Sequence, residues 1–556
     1  MGSKEVKKAK RKRRLKIFGR VMLIIAGLIF VLLLIFHRLI IDGAKILHGK
    51  NRFEKQGEIE YHEVNLTGEQ MLEDFDYLFD VTVNTSLHKD LAERYYGVDY
   101  DEIYETYRTR IENCKDEYEF VSILASLHPK LPGGHNFLIP PRDRLMDTFE
   151  MAEFFDDETR SVNYALWKQF EDRMAEYNEK GIVAFYYDGD YIFKDVVYGS
   201  YETIDDLANT RLVSLNGRPV RDVVKELDEI EPWHYDSVHD QVCPMKLIFN
   251  ESIGEKYEAV LEREDGSTFT MDLYNSAEYN LAFRYRSSLY KERFPKSDDS
   301  SNTSAESTLH YSVEADAERK LVYIRSTECV FEECKQLEAD VTKALEEADA
   351  ETVIIDFRGN TGGNYSYVTS YLLPLVLDHD AGDNYPVVMP NSEYISKFTD
   401  NRFYRQVKKL KVGEDKITYK EPFTVKGKAK KHYNVIALVD HDTFSTGDIF
   451  ASIVKDDGIP VIGQNTGGEG IGGLVLADYL PNSKLQFSFN VSISEYRPAD
   501  SYVGVEPDYV VNHNWEVEKN RRALFGDEPK EVYGTIENRL KWDPYFQKAM
   551  EVSKFL

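Results

Sequence analysis

Cysteine is scarce in this chain, with four in 556 residues. That number cannot frame a disulfide scaffold. Cys329 and Cys334 stand near enough to pair outside a cell, or to sit as two buried thiols. No histidines lie beside them at metal-ligand spacing, which argues against a zinc site, and no cofactor is expected. Positive charge is also scarce beyond the start. Residues 1–20 hold ten Lys/Arg and one Glu, a net +9, which leaves −37 on the other 536 residues. Phosphate backbones need clustered cations, so an acidic body excludes nucleic acid as a partner. No internal repeat is present, which sets aside solenoids and propellers. With 42% hydrophobic and 13% aromatic residues, the chain can bury two or three domain cores.

One long hydrophobic run does occur. Residues 21–36, VMLIIAGLIFVLLLIF, are sixteen uncharged apolar residues. With Arg20 and Arg38 snorkelling at the ends, residues 17–41 are long enough to cross a bilayer. A cleaved signal peptide is the competing reading, but no small-x-small cleavage site follows. The expectation is a transmembrane signal anchor, with the basic tail 1–20 in the cytoplasm and the rest outside.

Beyond the anchor, residues 50–180 place apolar residues at helical spacing, as in EFVSILASL, and predict a helical N-terminal domain. From 181 to 275 the pattern turns to short alternating runs punctuated by LNG and EDG, which signal tight turns between strands. A polar stretch within 276–315 reads as a linker. From 316 to 520, strands such as ETVIIDF and NVIALVD alternate with helices, the pattern of a mostly parallel α/β sheet. Residues 521–556 read as a C-terminal helical extension.

In such sheets ligands gather at the carboxyl ends of strands, and two of these ends are unusual. VIIDF runs into RGNTGGN, where Gly359, Gly362 and Gly363 let backbone N–H groups turn toward an anion. No Lys-Ser/Thr ending follows, so a nucleotide-binding P-loop is not indicated. NVIALVD runs into HDTFSTGD, which sets Ser445 just before a helix. A serine there can simply cap the helix, or it can act where free N–H groups stabilise an oxyanion. Thr443 stands where a G-x-S-x-G elbow would have glycine.

The pair D-x-R-G-N-x-G-G and T-x-S-x-G-D-I-F-A, with GQNTGG and GVEPD after them, resembles the serine peptidases of the carboxy-terminal-processing and tricorn-core family. The resemblance covers about 316–512. It implies a crotonase-like ββα catalytic core within an α/β fold, and TRLVSLNGRPVRDVVKEL with YEAVLEREDGSTFTMDL is similar to part of a PDZ-like domain. It also implies that Ser445 is the nucleophile. Backbone N–H groups of Gly362 or Gly363, and of Thr446, would then form the oxyanion hole. Asp356, Arg358 and Asn360 would hold the glycine loop in shape.

The resemblance alone leaves the base open between two branches. One branch uses a lysine about twenty-five residues after the serine, where this chain has Glu469. Lys455 lies ten residues after Ser445, roughly 15 Å along a helix, and cannot reach it. The tricorn-like branch uses a histidine from an N-terminal loop, here His135 in LASLHPKLPGGHN, with His128 as the fallback. For the acid that orients the imidazole, Asp500 is the first candidate and Glu495 the second. The function implied is peptide-bond hydrolysis on peptide or protein substrates. The alternative is an inactive relative that binds peptides or other ligands at the cell envelope.

Overall fold

Two strands that read as unbroken apolar runs lie where both faces of a sheet are covered. The computed structural model describes residues 64–139, 157–174, 181–193, 207, 209–227, 233–250, 254–276, 281, 309–399, 409–512, 514–517, 519 and 535–555. The proposed anchor at 17–41 and the basic tail lie outside the described residues. Among the described residues no helix is long and apolar enough to cross a membrane.

The described residues open with four α-helices: α1 (Gly68–Phe79), α2 (His88–Tyr96), α3 (Tyr100–Glu112) and α4 (Glu117–Leu127). Their starts are written locally. Thr67 and Gln70 form a capping box at α1, and Asp99 and Asp116 accept the first free N–H groups of α3 and α4. Each satisfies donors that the helix cannot. Strand β1 (Phe137–Ile139) follows, and α5 (Asp157–Met174) packs on α4.

A seven-stranded sheet comes next: β2 (Gly181–Tyr187), β3 (Asp190–Phe193), β4 (Thr210–Leu215), β5 (Arg218–Pro219), β8 (Lys246–Asn250), β9 (Glu255–Glu262) and β10 (Thr268–Asn275). Helix α6 (Val220–Leu227) covers it, and β6 (Trp233–Asp236) pairs with β7 (Gln241–Pro244) as a separate hairpin. The LNG signal is a two-residue turn with Asn216 and Gly217 both at positive φ, 49° and 75°. That geometry matches the twist of β4 and β5. This unit has its own apolar core, including Ile182, Phe193, Leu212, Val223, Phe249 and Leu261.

The third unit is a six-stranded sheet in the order β11 (Tyr311–Asp316), β12 (Leu321–Ser326), β13 (Thr352–Asp356), β17 (Asn434–Val439), β18 (Val461–Gly463) and β22 (Tyr509–Val510). All neighbours are parallel except the edge strand β11. Residues 311–315, read from sequence as linker, therefore belong to this sheet, because β11 closes its edge on β12. Alternate side chains face two cores. Val322, Val353, Ile355 and Ala437 face one with α7 (Cys334–Glu347) and α8 (Thr446–Asp456). Tyr323, Ile354, Ile436 and Leu438 face the other, closed by α9 (Ile536–Trp542) and α10 (Pro544–Val552).

The N-terminal helices do not form a core of their own. Phe75, Phe120 and Leu124 share one apolar cluster with Ile355, Phe450 and Phe487. Strand β1 makes the same connection: it pairs antiparallel with β20 (Gln486–Phe489), with Phe137 opposite Ser488, in a small sheet completed by β19 (Leu476–Tyr479). A second small sheet holds β14 (Ala381–Pro390), β15 (Lys411–Val412), β16 (Lys416–Val425) and β21 (Ile493–Ser494). All four cysteines are free thiols.

Candidate active site

Three loops meet at the carboxyl ends of β13, β17 and β18. Ser445 ends the turn after β17 and precedes α8. Its backbone sits at φ 54°, ψ −115°, and its side chain does not cap the helix. A non-glycine residue is held there only when its surroundings over-determine it. They do here. Ser445 N–H donates to Gly468 O at 3.0 Å, Gly467 N–H donates to Thr443 O at 2.8 Å, and Phe444 N–H donates to Asn360 O at 2.9 Å. Thr443 Oγ1 donates to Phe357 O at 2.9 Å. The serine turn is thus clamped to the glycine loop on one side and to the 464–473 turn on the other.

The glycine loop lies against the serine. A Cβ on Gly362, at φ 101°, would stand 2.8 Å from Ser445 Cβ and 3.0 Å from Thr446 N. Gly362 N–H is already committed to Asn360 Oδ1 at 2.9 Å. Among the described residues, the N–H groups of Gly363 and Thr446 make no backbone hydrogen bond. Asn360 also donates to Ser326 O and Oγ, each at 3.1 Å. Arg358 pairs with Asp356 and, through two N–H groups, with Asp543 at 3.0 and 2.7 Å. These contacts hold the loop from below. Burial alone would push the Asp356 carboxyl up, but Arg358 and Arg325 hold it below the usual range.

His135 reaches the same place from the loop before β1. Its ring packs on Phe444, next to Ser445, with centroids 4.9 Å apart. Gly134 permits this approach, since a Cβ there would meet Phe444 at 2.8 Å. The peptide is anchored by Ser488 Oγ, which donates to His135 O at 2.7 Å. The ring nitrogen Nδ1 bonds to Glu469 Oε2 at 3.0 Å. His135 is 14% exposed and Glu469 only 2%, so the imidazole is open to a ligand while its carboxylate partner is shielded.

Glu469 is the residue that stands where one branch of the resemblance has lysine. It too lies at positive φ, 59°. Asn490 Nδ2 donates to the same Oε2 at 2.5 Å. Burial would raise this carboxyl, but His88, His135 and the Gly134 N–H outweigh it and hold it at about 2. The turn around it is braced by Asp448, which accepts from Thr466 Oγ1 and from Gly470 N–H. Burial pushes the Asp448 carboxyl up to about 7.

The acids expected from sequence lie elsewhere. Asp500 pairs with Arg497 at 3.0 Å and Glu495 with Lys416 at 3.5 Å; neither bonds to His135. Both stand shortly before GVEPD in the chain, and nearness in sequence does not bring either to the imidazole. Glu469 comes instead from the turn that is hydrogen-bonded to the serine segment. Its signal was a carboxylate at a position where a catalytic cation would otherwise stand. Lys455 pairs with Asp508 at the far end of α8, and His128 packs on Phe487. His441 is buried and lines a cavity of about 220 Å³, together with Lys130, Trp233, His234, Phe444 and Tyr502. Burial lowers His234 to about 4. The β6–β7 hairpin that supplies Trp233 and His234 is tied to the acid turn through Ser237 Oγ, which donates to Asn465 Oδ1 at 2.7 Å.

Residues 320–511 match the model of peptidase family S41. No curated relative matches the chain. Among solved structures, the chain is similar to mature CPAF complexed with lactacystin, at 13% identity over 88% of this chain and 98% of that one, with a TM-score of 0.49. The photosystem II D1 C-terminal processing protease is similar at 14% identity over 83% and 98%, TM-score 0.36. For the tricorn protease the values are 13% over 88% and 37%, TM-score 0.33. Residues 320–511 are therefore a peptidase family S41 domain, and the chain is a serine-type peptidase.

Proposed function

We propose that this peptidase works through Ser445, His135 and Glu469, and that residues 17–41 anchor it in a membrane with the catalytic body on the extracytoplasmic side. The observation that carries the site is the His135–Glu469 bond at 3.0 Å, made within loops that are hydrogen-bonded to the serine turn. Ser445 Oγ attacks the substrate carbonyl carbon while His135 takes its proton. Glu469 accepts the Nδ1–H of His135, fixes which ring nitrogen faces the serine, and stabilises the imidazolium that forms. The oxyanion is received by the N–H groups of Gly363 and Thr446, since that of Gly362 is spent on Asn360. His135 then protonates the leaving amine, and water hydrolyses the acyl-enzyme.

The anchor rests on the sixteen-residue apolar run and its basic N-terminal flank. The β2–β10 sheet with α6 is read as the PDZ-like domain, and the Ser-His arrangement as tricorn-like. A fluorophosphonate probe tests the nucleophile. Wild-type protein is expected to be labelled on Ser445 and the Ser445→Ala variant not at all. Equal labelling of the two would remove Ser445 from the mechanism.

A further inference from the structure

A second histidine touches the carboxylate that holds His135. His88 opens helix α2 and is fully buried. Its backbone N–H donates to Ser86 Oγ at 3.1 Å, and Ser86 Oγ in turn bonds to Asn490 O at 3.4 Å. The start of α2 is therefore stitched to the same segment that supplies Asn490 to Glu469. His88 Nε2 lies 2.8 Å from Ser492 O. A carbonyl oxygen only accepts, so Nε2 must carry a hydrogen. The other nitrogen, Nδ1, faces Glu469 Oε1 at 3.6 Å. Both of these atoms are buried, and neither has a hydrogen-bond partner.

The two possible protonation states differ sharply here. In the neutral ring, Nδ1 is a lone pair aimed at a carboxylate oxygen, and two acceptors stay buried and unsatisfied. With a proton on Nδ1, the same 3.6 Å separation is an ion pair, and each charge has its counter-ion. Among the described residues, the other titratable groups facing the pair are Tyr96 on α2, Tyr502 and His135. Burial keeps both phenols neutral, with their ionisation raised, so neither competes with Glu469 for the His88 proton.

We propose that His88 is held as an imidazolium and is a positioning residue for the Ser445–His135–Glu469 site. It locks the Glu469 carboxylate and offsets part of its charge, so that the resting His135 stays unprotonated and able to accept the serine proton. This role rests on the site reading given above. An uncompensated buried carboxylate bonded to His135 would favour the protonated ring, which cannot accept the serine proton, and so extend the inactive acid range upward.

The test is the second-order rate of diisopropyl fluorophosphate labelling between pH 5 and 9, on the full chain. His88→Gln keeps a donor for Ser492 O but nothing for Glu469, whereas His88→Asn keeps a neutral donor for Glu469. Both variants lose the cation, so the acid limb of labelling is expected to move up by about one pH unit in each. Limbs unmoved from wild type, whatever the rate, overturn the proposal. Wild type left unlabelled overturns the serine-histidine reading instead. A measurement without variants stands beside it: nitrogen-15 histidine spectra of the wild-type protein at pH 7. Imidazolium shifts on both His88 nitrogens are expected, and a neutral Nε2–H tautomer would refute the assignment.

Discussion

Glu469→Gln removes a charge from this site while leaving its shape in place. The amide oxygen can take the position of Oε2 and still accept from His135 Nδ1 and Asn490 Nδ2, which bond there at 3.0 and 2.5 Å. The amide nitrogen then faces His88 Nδ1, which becomes an acceptor once the carboxylate is gone. The two bonds to the Oε2 position are kept, so the loss that is read comes mainly from the charge of the carboxylate and of the His88 proton that leaves with it. Unit charges about 4 Å apart interact by about 4 kcal/mol at an effective dielectric of about 20. Because His88 gives up its proton together with the carboxylate, that is an upper bound on the stabilisation lost to the His135 imidazolium in the transition state, and it corresponds to at most about 1,000-fold in rate. The assay is the labelling rate at Ser445, followed by hydrolysis of a mixed peptide pool, with a cooperative thermal transition as the check on folding. The acid limb should also move to lower pH, because the imidazolium has lost its counter-ion. A folded variant labelled within about threefold of wild type would refute the reasoning, since the carboxylate would then contribute nothing to His135.

Two further substitutions separate close packing from general tolerance. Gly362→Ala puts a methyl 2.8 Å from Ser445 Cβ at a backbone φ of 101°, and is expected to cut labelling by at least about 100-fold. Gly359→Ala is the control, because its φ is also positive but nothing lies within 4 Å of the new carbon; equal losses in the two would remove the contact as the cause. Asp448 has its carboxyl raised from 3.8 to about 7 by burial. Its neutral form is therefore favoured on folding, and the stability it contributes is present below about pH 4 and lost as pH rises to about 7. Asp448→Asn mimics the neutral form, so its melting temperature should gain on wild type across that window; a constant difference would show that Asp448 does not titrate there.

Much of the scaffold is legible locally. TVIID and NVIALV are strands covered on both faces, and unbroken apolar runs of that length leave few other solutions. The caps at Thr67, Asp99 and Asp116 and the Asn216-Gly217 turn follow from short-range chemistry. So does the serine turn, where strand, loop and helix N-terminus are adjacent in the chain. The acid was not legible in the same way. Asp500 and Glu495 suited the spacing, yet they pair with Arg497 and Lys416.

Periodicity says which face of an element is buried, because burial of apolar surface is a local property of each helix or strand. It does not say which loops meet. His88, His135, Ser445 and Glu469 are scattered over nearly four hundred residues of chain. The pairing of β1 with β20 and the hydrogen bonds between the 443–445 and 467–468 segments bring them together. The sequence by itself determined a parallel α/β sheet, a serine at a helix start and a histidine in a glycine loop. Only the tertiary structure decided that Glu469 holds that histidine, because a buried carboxylate is stabilised by the donors that long-range packing sets around it.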